Sequence, residues 1–221
     1  MFPAGVIAAQ MRGPGEASAL FPAEADSVSR AVPKRVQEFA AGRACARRAL
    51  TEFGIHDYVL RAAADRQPVW PDSIVGSISH TTGFCVAVVG RKDRLLALGV
   101  DSEIVGDVSR DIWPTVCCAA EATWRDSLPI DQQAAAVTLL FSAKEAFYKS
   151  QYPLTGEWMD FHDLHVLPRN WGSARDAFDV RPTRPLAIVK HAAGPAVGHY
   201  LFHDGLVTAG VALERAELGI Q

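Results

Sequence analysis

From Pro33 to about Phe53 the apolar residues recur at helical spacing, with Val36, Phe39, Ala46, Leu50 and Phe53 on one face. Pro33 suits a first turn and Gly54 an end, so the pattern predicts a helix between them. After residue 70 the period changes. GSISH (76–80) leads through Thr81, Thr82 and Gly83 into FCVAVVG, whose β-branched and aromatic content predicts a strand. A turn at Arg91-Lys92-Asp93 separates it from a second predicted strand, Leu95 to Glu103, which is apolar almost until Asp101. Residues 104–132 are mixed and predict short helices around Trp113 and Trp124. A long helix is predicted from Gln133 to Ser150, closed by Tyr152-Pro153. The stretch 160–221 reads as short strands between Pro and Gly: FHDLHVL, FDVRP, LAIVK, GHYLFHDG and LVTAGVALE. Residues 1–30, rich in Ala, Gly and Pro, read as irregular or short-stranded.

Two of these strands are alike. LLALGVDSE (95–103) and LVTAGVALE (206–214) share Leu, Gly, Val and Glu in register, at an offset of 111 in a chain of 221 residues. Each follows a strand and a polar turn in a segment that begins with a helix, which points to an internal duplication. The expected fold is α/β (α+β), with two similar α/β halves over 1–104 and 105–221. Asp101 in the first copy is matched by Ala212 in the second, so a single site is expected at their interface.

The bulk numbers narrow the function. A net charge of −3 argues against a nucleic-acid partner. No stretch is long and apolar enough to cross a membrane, and MFPAGVIAAQM makes a poor signal peptide. Cys45, Cys85, Cys117 and Cys118 show neither a CxxC pair nor a disulfide-framework spacing, so reduced thiols in the cytoplasm are expected. The first helix carries a local excess of positive charge. Six Lys or Arg and one Glu lie between Arg30 and Leu50. Arg43 falls at the edge of the apolar stripe, where a guanidinium needs an anion as partner. Arg47 lies close by, and Arg48 points away.

Asp101 and Glu103 are two apart on a strand, so both leave the same face. At the end of an apolar run two carboxylates repel unless a cation or protons intervene. Glu145, in FSAKEAFYK (141–149), supplies a third carboxylate, and magnesium takes a few carboxylates, keeps waters and fills its remaining positions with substrate phosphates. Lys144 and Lys149 lie among Phe141, Ala146, Phe147 and Tyr148, where long cations pair well with phosphate oxygens. The plainer reading is a surface Glu145–Lys149 pair at i,i+4. His80 reads either as a phosphate or sugar contact or as a satisfied loop histidine. GxxxxGK[ST], GxGxxG and GxSxG are all missing, which leaves phosphate chemistry by metal, cations and one carboxylate base.

GVDSE (99–103) together with FSAKEAFYK (141–149) resembles the paired signature motifs of the 4'-phosphopantetheinyl transferases. The length, the duplication, SISH and the basic GRACARRAL helix look like the Sfp-type branch, which includes the enterobactin-synthase and mycobacterial-type enzymes. The resemblance runs from about Arg35 to Leu164. It implies two halves related by a pseudo-twofold, with coenzyme A in the cleft between them. It implies transfer of 4'-phosphopantetheine from coenzyme A to a serine of an acyl or peptidyl carrier protein, releasing adenosine 3',5'-bisphosphate. Asp101, Glu103 and Glu145 would hold Mg2+, with Mn2+ as the alternative. Glu145 and Lys149 would be catalytic. Arg35, Arg43, Arg66, Ser79, His80, Asp101, Lys144 and Lys149 would bind coenzyme A.

The expected partners are carrier domains of fatty-acid, polyketide and nonribosomal peptide synthases, approached by a monomeric enzyme through Arg110, Trp113, Val116, Trp124, Arg125 and Leu128. These tryptophans read equally well as core. The competing functions are a magnesium-dependent hydrolase of the coenzyme A pyrophosphate and a non-catalytic module that binds a nucleotide or a carrier.

Overall fold

In the computed structural model, which describes residues 1–190 and 196–215, the chain forms two antiparallel sheets and two long helices. The chain opens with strand β1 (Ile7–Arg12), helix α1 (Pro22–Ala25) and helix α2 (Pro33–Thr51). Strands β2 (Ile74–Thr81), β3 (Phe84–Arg91) and β4 (Leu95–Ile104) follow. Helices α3 (Trp113–Val116), α4 (Ala119–Asp126) and α5 (Ile130–Thr155) come next. Strands β5 (Leu164–Pro168), β6 (Arg175–Pro182), β7 (Ala196–His203) and β8 (Leu206–Glu214) end the described chain. One sheet has the order β1-β3-β2 and the other β4-β8-β7-β6-β5.

The two-residue period of a strand explains the layering. Cys85, Ala87 and Val89 of β3 pack with Cys45, Ala46, Ala49 and Leu50 of α2. Phe84, Val86 and Val88 face the other way, onto Leu98 and Val100 of β4 and Leu206 of β8. Val207, Ala209 and Val211 of β8 then turn towards α5, where Leu139, Leu140, Ala143 and Phe147 await them. β3 is buried on both faces, and FCVAVVG is accordingly an almost unbroken apolar run. Burying one Leu, Val or Phe side chain contributes roughly 1.5–3 kcal/mol, so these three clusters hold the layers together.

The repeat and the hydrogen-bonded ladder share a centre. β4 pairs with β8, with Gly99 opposite Val211 and Val100 opposite Gly210. Exchanging the two copies of the repeat maps this group of four onto itself. The likeness stops at the next strand, because β7 bonds to β8 whereas β3 belongs to the other sheet. β4 instead faces β2 through side chains. Ser77 and Ser79 accept the backbone N–H groups of Val100 and Ser102, each at 3.1 Å. β4, which ends at Ile104, is bonded into the second sheet. The second expected half also reaches into 191–195 and 216–221, outside the described residues.

Three sequence expectations need correction. The long helix does not close at Tyr152-Pro153 but runs through Pro153 to Thr155 and stops at Gly156, whose φ is 64°. Pro153 lies in the last turn, where the Tyr152 carbonyl still accepts the Gly156 N–H at 2.8 Å. LAIVK is not a strand: Ala187–Lys190 is a 3-10 turn, with Ile188 buried in the core of the second sheet. GSISH is not a lead-in, because all of it lies within β2.

Candidate active site

The carboxylate pair owes its position to a glycine. Gly99 and Asp101 share the face of β4 that packs on α5. A Cβ built on Gly99 would come within 1.8 Å of the Ala146 carbonyl oxygen, so only glycine lets the strand approach the helix this closely. That approach brings Lys149 Nζ to 2.6 Å from Asp101 Oδ1. Ser79 donates to the same oxygen at 2.9 Å, and Lys149 reaches the Ser79 hydroxyl at 3.4 Å. On the same side Ser142 donates to the Asp101 backbone carbonyl at 3.1 Å.

Asp101 is 2% exposed. Its second oxygen, Oδ2, is the one buried side-chain N or O atom without a hydrogen-bond partner among the described residues. Burial and the charges of Asp101 and Glu145 push the Glu103 carboxyl up to about 8. Burial, with Asp101, also raises Glu145, although Lys149 pulls the other way. Burial works against the charge on Lys149, but Asp101, Glu145 and Glu103 outweigh it and hold its pKa above the ordinary lysine value. One lysine thus faces three crowded carboxylates. The Glu145–Lys149 surface pair does not form among the described residues, where Lys149 pairs with Asp101 instead.

No three His, Cys, Asp or Glu side chains among the described residues are grouped tightly enough to hold a metal as they stand. The donor set nonetheless fits a hard divalent cation. An orphaned buried carboxylate oxygen and two neighbouring carboxyls that resist ionisation are what such a cation would satisfy.

Arg35 with His80, and Arg66 apart from them, occupy two separate places. On β2, next to Ser79 but on the opposite face, His80 Nε2 accepts from Arg35 Nη1 at 2.6 Å. Burial and then the Arg35 charge hold the His80 pKa below its ordinary value. A small cavity of about 160 Å³ lies beside it, lined by Lys34, Gln37, His80 and Thr82. Arg66, with φ 71°, is held in a turn closed by Ala63 and Gln67 and lines a larger cavity.

Arg43 and Lys144 fall outside both groups. Arg43 is buried; it donates through Nε to the Leu60 carbonyl at 2.8 Å and lies 3.8 Å over the Phe39 ring. Its partners within the protein are a carbonyl and a ring face. Burial lowers its pKa to about 10; Glu24 works against this and Arg35 adds to it. Glu24 itself is taken by Arg47, at 2.8 Å. Lys144 contradicts its expected role as a coenzyme A contact. It is 2% exposed and turned to the far side of α5, where Glu121 Oε2 accepts its ammonium at 2.6 Å.

The larger cavity, of about 660 Å³, lies where the two sheets part. Val75 to Ile78 of β2, Leu96 to Leu98 of β4, and Tyr148, Lys149 and Tyr152 of α5 line it, and Trp158 closes one side. Sequence reasoning missed this aromatic wall. Its one signal was Tyr148 and Tyr152 at i,i+4, one residue off the Glu145–Lys149 face.

In the segment expected to meet a carrier, the two tryptophans are buried to different degrees. Trp113, 7% exposed, donates to the Val108 carbonyl, and Val116 is core. Arg110 and Arg125 lie over the Trp113 ring at 5.0 and 5.4 Å. Trp124 is half-buried against Trp171, and Leu128 is half-buried as well.

A strand carboxylate pair facing a helix Glu and Lys beside a cleft is the arrangement that fold and geometry define. A family model described as the 4'-phosphopantetheinyl transferase N-terminal domain matches residues 23–90. A second, described as the 4'-phosphopantetheinyl transferase superfamily, matches 97–194. The chain is 42% identical over 150 residues to the 4'-phosphopantetheinyl transferase Svp of Streptomyces mobaraensis, which covers 67% of this chain and 61% of that protein. It is 37% identical over 147 residues to PptT of Mycobacterium tuberculosis, covering 66% and 63%. It is 33% identical over 170 residues to Npt of Nocardia iowensis, covering 75% and 74%. The chain belongs to the 4'-phosphopantetheinyl transferase superfamily.

Proposed function

We propose that the protein transfers the 4'-phosphopantetheine arm of coenzyme A to a serine of an acyl or peptidyl carrier protein. The observation that carries this reading is the Asp101–Lys149–Ser79 cluster, with its unpartnered Asp101 oxygen, whose Lys149 lines a large cleft and interacts with the charges of Glu103 and Glu145. Family membership supports the substrate class. Asp101, Glu103 and Glu145 would hold Mg2+ or Mn2+, which would neutralise charge on the pyrophosphate. Lys149 moves from Asp101 to the pyrophosphate as coenzyme A binds, because a phosphate oxygen offers it a charge-assisted bond. Arg35 and His80 bind the 3'-phosphate end from the other face of β2. Arg43 lends charge from behind them, and Arg66 lies at the cleft wall.

In the reaction the carrier serine oxygen forms a bond to the phosphorus that carries pantetheine. The bond from that phosphorus to the bridging oxygen breaks, and adenosine 3',5'-bisphosphate leaves. Glu145 takes the serine proton, and Lys149 offsets charge on the leaving phosphate. Little covalent work falls to the protein beyond positioning and electrostatics.

The division into halves at residue 104, a monomeric state, and fatty-acid, polyketide or nonribosomal peptide carriers as partners belong to the same reading. So does a cytoplasmic location. It is supported by four free cysteines and by the lack, among the described residues, of any helix long and apolar enough to cross a membrane. Intact-mass spectrometry of an apo carrier incubated with this protein, coenzyme A and magnesium tests the reading. The expected result is the gain of one phosphopantetheine, abolished by a chelator. Cleavage of coenzyme A with no gain on any carrier would make the protein a hydrolase.

A further inference from the structure

An ammonium group has three N–H donors, and in Lys144 all three are engaged. Nζ donates to the Val116 carbonyl at 2.8 Å, to Glu121 Oε2 at 2.6 Å and to the Phe161 carbonyl at 2.8 Å. No donor is left for a phosphate oxygen. The partner is as deeply placed: Glu121 is 1% exposed. Its Oε2 also accepts the Cys118 N–H at 2.8 Å, and its Oε1 accepts the Val166 N–H at 2.7 Å. One buried ion pair therefore ties together the end of α3, the start of α4, the loop before β5, β5 itself and α5.

The two sides of α5 are coupled by helix geometry. Adjacent residues differ by about 100° around the axis, so fixing Lys144 fixes the direction of Glu145. Lys149, four residues on from Glu145, points nearly the same way as Glu145. We propose that Lys144 is a positioning residue and not a phosphate contact: its pair with Glu121 clamps α3, α4 and β5 onto the reverse face of α5, and so sets the rotation at which Glu145 and Lys149 meet Asp101. This rests on the reading of Glu145 and Lys149 given above. The pair itself does not depend on it.

The test compares Lys144→Met, Glu121→Leu, the double variant and Lys144→Arg. The readouts are urea unfolding, coenzyme A affinity by calorimetry in magnesium, and transfer rate. Each single truncation should lower the unfolding midpoint and the rate, because it leaves a buried charge uncompensated. The double variant, with apolar side chains of similar size, should be destabilised by less than the sum of the two single variants, because both charges go together even though four backbone groups lose their partners, and should bind coenzyme A within about twofold of wild type. Lys144→Arg should be destabilised, since the three-acceptor pocket is built for a compact ammonium.

Two results would overturn the proposal. One is a stable double variant whose coenzyme A affinity falls by about tenfold or more, the loss expected for a missing charge-assisted phosphate bond. The other is a Lys144→Arg variant as stable and active as wild type. A wild-type protein that bound no coenzyme A would instead remove the function proposed above, with the unfolding data on the pair still readable.

Discussion

Glu145 and Lys144 are neighbours in sequence and differ in setting. Glu145 lies on the half-buried face towards β4, with its carboxyl raised by burial and by Asp101. Lys144 is sealed on the other face. A general base in the role proposed for Glu145 is typically worth about 10²–10⁴ in rate. Glu145→Gln should therefore keep the unfolding midpoint near wild type and cut transfer by about that range, read as turnover of an apo carrier. Near-wild-type turnover would remove Glu145 from the mechanism. Residue types alone lead to the expectation that Glu145 and both lysines carry chemistry. They do not show which lysine faces the site, because that depends on what packs behind the helix. Glu121 was invisible for a similar reason. Its spacing from Cys118 is that of a capping box, but Cys is not the usual serine or threonine cap.

At the scale of elements, the site depends on how closely β4 and α5 approach. Gly99→Ala would drive a methyl group into the Ala146 carbonyl, and neither backbone can yield without moving Asp101 or Lys149. The expected cost is that of overpacking, about 1–3 kcal/mol or more. It should appear as a lower urea midpoint and a loss of transfer that extra magnesium does not restore. An unchanged midpoint would mean that the strand and helix are not held this tightly.

Elements with a clean period were legible in the sequence. The helix expected from Pro33 to about Phe53 is observed as Pro33–Thr51, and the strand Leu95 to Glu103 as Leu95–Ile104. LAIVK was misread because a short apolar run shows that a segment is buried, not how it is folded. Pro153 was misread as a stop because a proline disfavours the turn it sits in without ending it at once, and here the helix runs two residues beyond it, to Thr155, and stops at Gly156.

For the whole molecule, the cleft exists because the two sheets fail to join. β4 gives its ladder to β8, and the N–H groups on its other edge go to Ser77 and Ser79 of β2. Ser79 thereby both closes the seam and orients Asp101. A repeat in the sequence hinted at one site between two halves, and GVDSE marked its place. The unequal partners of β3 and β7 could not be read, since strand neighbours are set by tertiary packing. The basic helix was legible as an anion-seeking element, but the buried Glu24 that holds Arg47 and the Leu60 N–H was not. It lies in an Ala-rich stretch without a pattern.

The central claim is that Asp101, Glu103 and Glu145 make a divalent-cation site that binds the pyrophosphate of coenzyme A. Calorimetric titration of coenzyme A, with magnesium and with a chelator, on wild type and on Asp101→Asn tests it most directly. Magnesium should tighten binding about tenfold or more in wild type and have almost no effect in Asp101→Asn, since the cation loses its buried carboxylate. Equal affinity in the chelator and in magnesium for the wild-type protein would contradict it.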